Sequence, residues 1–348
     1  MSHPKRVLSI TILLVFGFLC VLFSQTTSAR FLLTTPSARS NALGGAGTAL
    51  SEGAFSCFYN PAAITFIKPF DIMASFVEPL PLEENREYSA FSGILLQGDL
   101  GTLAFSLNIY ALGTTYWTSE RGEVLGIDKN KAWVYRLSYA YPVSKDLALG
   151  TTLNYLDYRL SDLELTVGTE RGKGEAKSIF FNFGILRKNL GPSLTFRPDD
   201  IAVGGFLENI TAYIPRNGFS LGLAVLNLGP KISFIDAKQA DPIPAILSAG
   251  MVYHPVDSRA TGITLALDLE KQLYESSALD YVRGGVELNM LQLFCVQAGY
   301  AWDTDNPKNS YPTYGFGLKT KFVNLEAARY QKSLESIWHY NATLRVEI

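Results

Sequence analysis

From Trp338 to Ile348 apolar and polar positions alternate without a break. Trp338, Tyr340, Ala342, Leu344, Val346 and Ile348 fall on one side, and His339, Asn341, Thr343, Arg345 and Glu347 on the other. Successive side chains of a β-strand point to opposite faces, so this segment predicts a strand with one greasy and one wet face. Its length is near the roughly 9–11 tilted residues that carry a strand across a bilayer. A soluble sandwich builds such strands too, so the decision rests on how the pattern repeats.

It repeats in about fourteen stretches from Phe70 onward, within the even numbers found for bacterial barrels. Trp133, Tyr135, Leu137, Tyr139 and Tyr141 oppose Ala132, Val134, Arg136, Ser138 and Ala140. Ile179, Phe181, Phe183 and Ile185 oppose Ser178, Phe180, Asn182 and Gly184, and Leu265, Leu267 and Leu269 oppose Thr264, Ala266 and Asp268. The predicted fold class is all-β: a transmembrane antiparallel barrel over residues 70–348. Its aromatic and aliphatic faces meet lipid, and its small and charged faces line a lumen. Arg136, Asp268, Arg283, Glu287, Lys319 and Arg345 are assigned inward, because an Arg or Lys at mid-depth in lipid costs about 2–4 kcal/mol.

The connections separate the barrel from the sandwich. Gln97–Leu100, Pro142–Asp146, His254–Ala260 and Asn289–Gln292 read as brief turns. Gly113–Asn130, Asp157–Ala176, Asn227–Pro244 and Asp303–Pro312 read as longer polar loops. Alternation of short periplasmic turns with long outer loops is the habit of membrane barrels, and it puts both chain ends in the periplasm. Lys188–Gly218 breaks the alternation: it is long where a turn is due, and reads as a periplasmic insertion or two additional strands.

The N-terminus predicts export. Lys5 and Arg6 precede the apolar run Val7–Phe23, and Thr27-Ser28-Ala29 offers small residues for cleavage, so 1–29 reads as a signal peptide cut near Ala29. No comparable apolar run follows, which excludes helical spans from the mature chain. A mean hydropathy of +0.11 fits strands that show lipid only every second residue. The formal net charge of −2 argues against a nucleic-acid partner. Cys57 and Cys295 are too few for a disulfide scaffold and read as ordinary small residues.

Residues 30–69 do not read as spanning strands. Pro36-Ser37-Ala38-Arg39 leads into Ala42-Leu43-Gly44-Gly45-Ala46-Gly47, and later comes Phe58-Tyr59-Asn60-Pro61-Ala62-Ala63. Small residues dominate where backbone must pack in a confined space, which suits a plug inside the barrel. A phosphate loop is excluded, because the third glycine and the Lys-Ser/Thr ending are missing.

These runs resemble the N-terminal signature of FadL-like outer-membrane proteins, most of all the PorV/PorQ (UPF0164) branch. Leu226-Asn227-Leu228-Gly229-Pro230-Lys231-Ile232, with Pro242–Tyr253, is similar to a second signature of that branch. The resemblance covers nearly all of the mature chain. It implies a fourteen-stranded barrel in the outer membrane with an N-terminal hatch in its lumen. It also implies passive uptake of hydrophobic molecules such as long-chain fatty acids. The alternative it implies is a PorV-like role in type IX protein secretion, binding or shuttling cargo. The terminal Ile348 departs from the Phe or Trp usual in such barrels.

No catalytic constellation is present, so the chain reads as a non-enzyme without cofactor. His254 and His339 lack Cys or carboxylate neighbours at metal-ligand spacing, and no Gly-x-Ser-x-Gly elbow occurs. Two readings of the lumen charges stand side by side: a wall stitched to the hatch by ion pairs, or a cation, Arg136 or Arg283, that meets a ligand carboxylate. Asn60-Pro61-Ala62, with Gly44, Gly45 and Gly47, reads as a gating hinge or as a rigid packing element. Tyr116 and Trp117, with Tyr110, suit ligand capture or protein docking in an outer loop. The expected partners are outer-membrane lipids, a hydrophobic ligand such as a fatty acid, and, on the alternative reading, secretion-system proteins.

Overall fold

The computed structural model of the protein describes residues 27–51, 53–67, 71–77, 86–118, 121, 124–167, 170–198, 215–234, 240–275, 277–332 and 335–345. The signal-peptide reading of 1–29 lies almost wholly outside them. Fourteen strands close into one antiparallel ring, each paired with its neighbours in sequence and the last with the first. They are β1 (Asp71–Val77), β2 (Arg86–Gly98), β3 (Gly101–Thr118), β4 (Val124–Ser144), β5 (Leu147–Val167), β6 (Glu170–Leu190) and β7 (Phe219–Leu228). The ring continues through β8 (Ile246–Asp257), β9 (Thr261–Gln272), β10 (Tyr281–Met290), β11 (Phe294–Asp303), β12 (Tyr311–Lys319), β13 (Val323–Lys332) and β14 (Glu335–Arg345). Asp71 pairs with Arg345 and Val77 with His339, which seals the ring. Closure leaves no strand edge with unmet backbone groups, the condition for crossing hydrocarbon.

The alternation sorts as the sequence expects. Tyr135, Leu137, Tyr139, Tyr141, Ile179, Phe181, Phe183, Ile185, Leu265, Leu267 and Leu269 are exposed on the outer face, while Ala132, Val134, Arg136, Ser138, Asn182, Thr264 and Asp268 are buried inside. In β14, Tyr340 and Leu344 face out and His339, Asn341 and Thr343 face in. A soluble sandwich would bury these apolar faces between sheets; here they form a continuous belt around a closed ring, and that reading falls.

The strand lengths correct the loop assignments. β4, β5 and β6 each run 21 residues, roughly 70 Å at ~3.3 Å per residue, about twice what a bilayer crossing needs. Most of Gly113–Asn130 and Asp157–Ala176, read as loops, is therefore ladder, with register shifts between Ala111 and Thr114 and between Arg159 and Glu164. An antiparallel ladder continues wherever backbone groups find partners. The hydrophobic alternation stops with the lipid, so beyond it the sequence carries no strand signal. Short turns do follow β2, β4, β8, β10 and β12, and both ends of the described barrel lie on that side.

The long β6–β7 connection adds no barrel strand among its described residues. A short 3-10 turn occupies Pro192–Leu194, and Phe196 makes a parallel bridge with Val256 at the rim. β6 pairs directly with β7, so the ring closes without it.

Candidate functional site: the occupied lumen

The segment ahead of β1 lies inside the ring as a chain of single turns. Ser37 caps the five-residue helix α1 (Ala38–Ala42), its hydroxyl accepting from Ser40 N. A 3-10 turn follows at Ala54–Phe58, and another at Pro61–Phe66. Asn60 caps the latter, and Pro61 sits where a missing N–H costs nothing.

The wall makes room for it with glycine. A Cβ on Gly150 would stand 2.3 Å from Ala62 N, on Gly184 2.0 Å from Asn60 Oδ1, and on Gly222 2.2 Å from Thr48 O. A Cβ on Gly285 would meet Leu43 Cα at 2.7 Å, and one on Gly299 would meet Gly44 N at 2.4 Å. Gly150 pairs across the sheet with Gly184, Gly222 with Gly250, and Gly285 with Gly299. The lumen thus carries a glycine collar against which the segment's backbone lies. On the segment itself, Gly44 holds φ +77°, and its missing Cβ leaves space for Tyr300 O, 2.4 Å from where that atom would be.

The two sides of the lumen hold the segment differently. On the β9–β14 side the contacts are polar. Arg39 Nε and Nη2 donate to Glu287 at 2.5 and 2.8 Å. Glu287 also accepts from Asn289, Gln297 and Lys319 at 2.7, 3.0 and 3.3 Å. Asp268 Oδ2 accepts from the backbone N–H groups of Gly47 and Thr48, both at 2.8 Å. Thr313 Oγ1 donates to Ala42 O at 2.8 Å and accepts from Gly44 N at 2.9 Å. Asn41 meets His339 at 2.8 Å. Most buried polar atoms here are met by a partner, as low-dielectric surroundings require, and Asp268 Oδ1 is an exception.

On the β1–β6 side the contacts are mainly apolar, with a few hydrogen bonds beside them: Ala54 N donates to Asp71 at 3.0 Å and Ser92 Oγ to Ala54 O at 3.0 Å. Phe55, Phe58, Ile64 and Ile67 pack with Ile94, Ala104, Val134, Ala140, Leu156 and Phe180 in one cluster. The cluster extends toward the loop end through Phe31, Tyr110, Tyr158 and Phe234, with ring centroids 4.7–5.0 Å apart. Cys57 is buried within it, and burial pushes its thiol pKa up.

The predicted site residues fare unevenly. Asn60 is fully buried and a clamp in geometry: its Nδ2 donates to Thr48 O and to Ile185 O on β6, both at 2.9 Å, and its Oδ1 accepts from Ala62 N at 3.1 Å. Arg283 is paired, donating to Glu270 at 3.0 and 3.4 Å, with Gly44 O 3.4 Å from its Nη1; this is the wall-stitching reading. Arg136 differs. Buried inside the apolar cluster, it donates to Asn108 Oδ1, and its guanidinium lies 4.6 Å over the Phe58 ring. Its Nε has no hydrogen-bond partner, and no ion pair reaches it among the described residues. Tyr116 is exposed near the far end of β3, eight residues beyond Asn108, roughly 26 Å along a strand. The side chain of Trp117 lies outside the described residues. Arg136 on β4 and Arg283 on β10 are on opposite walls, so the four candidate ligand residues do not converge.

Two features escape local sequence reading: the glycine collar and the meeting of Arg39 with Glu287. The collar has a signal, glycine recurring in the inward phase of β5, β6, β7, β8, β10, β11 and β12. The ion pair has none, since its partners stand in unrelated stretches of chain.

Below the segment, at the turn end, is a cavity of about 330 Å³. Leu50, Phe66, Ile67 and Met73 form its apolar side, and Lys188, Arg216, Lys319 and Arg39 its cationic side.

Solved structures share this architecture. The CymD monoaromatic hydrocarbon channel superposes with a TM-score of 0.52 at 14% identity, covering 89% of this chain and 96% of that one. The Pseudomonas putida toluene transporter TodX gives a TM-score of 0.50 at 12% identity over 92% and 98% of the two chains. A Pseudomonas aeruginosa FadL homologue gives 0.50 at 11% identity over 93% and 99%. At such identities the likeness is one of fold. No family model and no curated protein matches the chain, so the resemblance to the PorV/PorQ branch rests on the quoted motifs alone.

Proposed function

We propose that the protein is an outer-membrane channel for passive entry of hydrophobic small molecules, long-chain fatty acids among them, with its leading segment acting as the hatch. The observation that carries this reading is the asymmetry of the lumen. One apolar cluster runs from Phe31, Tyr158 and Phe234 at the loop end, past Phe55 and Phe58, to Ile67 and Ile94 toward the turn end. A greasy solute that displaces this packing exchanges one apolar contact for another, at little free-energy cost. Leaving by the opposite side would break Arg39–Glu287 and the Asp268 cradle, which costs several kcal/mol. The path therefore follows the β1–β6 wall, and the polar side is the hinge about which the segment yields. The barrel fold shared with channels for toluene and monoaromatic hydrocarbons agrees with this.

Arg136 supports the fatty-acid form of the proposal. A buried guanidinium with no carboxylate partner among the described residues, set in the apolar path, suits an amphiphile whose head is anionic. The test is uptake of a fluorescent hexadecanoate into vesicles carrying the purified protein. Wild type gives uptake well above protein-free vesicles, and Arg136→Gln slows hexadecanoate while leaving toluene entry in place. Equal uptake with and without protein removes the transport reading. Equal slowing of both solutes removes the role of Arg136.

A further inference from the structure

We infer that the turn-end cavity beneath the leading segment is a second binding site, one that takes an amphiphile with an anionic head at the point of release. The inference rests on the transport reading and adds to it a location and a substrate class. The cavity is about 330 Å³, within the range of pockets that hold small ligands, and its lining is divided. The leading segment supplies the apolar roof with Leu50, Phe66 and Ile67, and Met73 of β1 extends it. The barrel wall and the β6–β7 connection supply the cationic side with Lys188, Arg216 and Lys319, and Arg39 closes it from above. Among the described lining residues four are Arg or Lys, and Glu326 is the one carboxylate.

Built geometry holds these cations in place. Lys188 Nζ donates to Ser51 Oγ at 2.7 Å and lies 5.1 Å over the Phe66 ring, at the boundary between the apolar and cationic sides. Arg216 is fixed by its backbone N–H on Asp257 at 2.8 Å and by its Nη1 on Thr264 Oγ1 at 3.1 Å, with Glu287 at 3.7 Å. Lys319 reaches Glu287 at 3.3 Å and Glu326 at 3.9 Å. A carboxylate or similar head placed among them adds charge-assisted hydrogen bonds to groups already oriented. Its tail lies against Phe66, Ile67 and Met73, the last two belonging to the apolar cluster along which a solute descends. A neutral hydrocarbon gains only the second half of these contacts. The site therefore separates anionic amphiphiles from hydrocarbons.

The experiment is titration calorimetry of decanoate and of decan-1-ol into the full-length protein in a non-ionic detergent. Two variants accompany it: Lys188→Gln removes a charge, and Ser220→Leu fills the cavity from the inner face of β7 without altering charge. The inference expects decanoate to bind wild type more tightly than decan-1-ol. It expects Lys188→Gln to weaken decanoate roughly tenfold with little change for the alcohol. Ser220→Leu should abolish decanoate binding, and both variants should keep wild-type heat-resistant mobility on gels. Equal affinity for acid and alcohol, or decanoate binding unmoved by both variants, overturns the site. Vesicle uptake separates the two claims: binding without uptake leaves the site and removes the channel, and uptake without binding does the reverse.

Discussion

Glu287 is where the two non-strand pieces of the lumen meet. Arg39 reaches it from the leading segment and Arg216 from the β6–β7 connection, while Lys319 approaches from β12. Removing that one carboxylate leaves three cations facing each other in a buried space. Glu287→Gln should therefore lower the folding stability by about 3–5 kcal/mol, the usual penalty for breaking a buried pair from one side. Urea titration of the protein folded into vesicles reads this directly, and a midpoint equal to wild type would mean the carboxylate holds nothing. The inward phase of Glu287 is legible in the alternation of β10; its partners are not, because charge complementarity across a lumen leaves no local spacing. The same holds for Arg283, whose inward position is read correctly and whose paired state is settled only by Glu270.

At the scale of elements the collar makes a sharp contrast available. Gly150 faces the lumen 2.3 Å, at an added Cβ, from the backbone of Ala62, whereas Gly98 has nothing within 4 Å. Gly150→Val should leave the barrel assembled and push the Pro61–Phe66 turn off the wall. In a Cys295→Ser background, maleimide would then reach Cys57, which is otherwise buried and, with its thiol pKa raised, unreactive. Gly98→Val should leave Cys57 as protected as in the parent; equal labelling in both would show that the collar does not seat the segment. The outer face carries its own test. Leu267, mid-strand on β9, should cost about 2–4 kcal/mol as Arg if it faces hydrocarbon, and much less if it faces water. Strand phase was the legible part of these elements, and strand length was not. β4 to β6 outrun the hydrophobic alternation because hydrogen bonding, unlike side-chain pattern, does not end at the lipid surface.

For the molecule as a whole the ring and its lodged leading segment are one packing problem. The closed wall supplies the collar, the collar admits a segment of small residues, and the segment divides the lumen into a mainly polar side and a mainly apolar side, the hinge and the path of the proposed channel. The repeating alternation made the barrel readable, and the small-residue run set the leading segment apart from the spanning strands. The division of the lumen was not readable, since it depends on which strands face which part of the segment. The most direct measurement locks that segment in place. Cys57 Sγ lies 3.4 Å from Ser106 Oγ on β3, on the side of the lumen where the segment yields, so Ser106→Cys, in a background with Cys295 replaced by Ser, can form a disulfide between segment and wall. With the bridge closed, uptake of fluorescent hexadecanoate into vesicles should fall to the protein-free level and return on adding reductant. Uptake at the full rate through the oxidised, bridged protein would contradict the account.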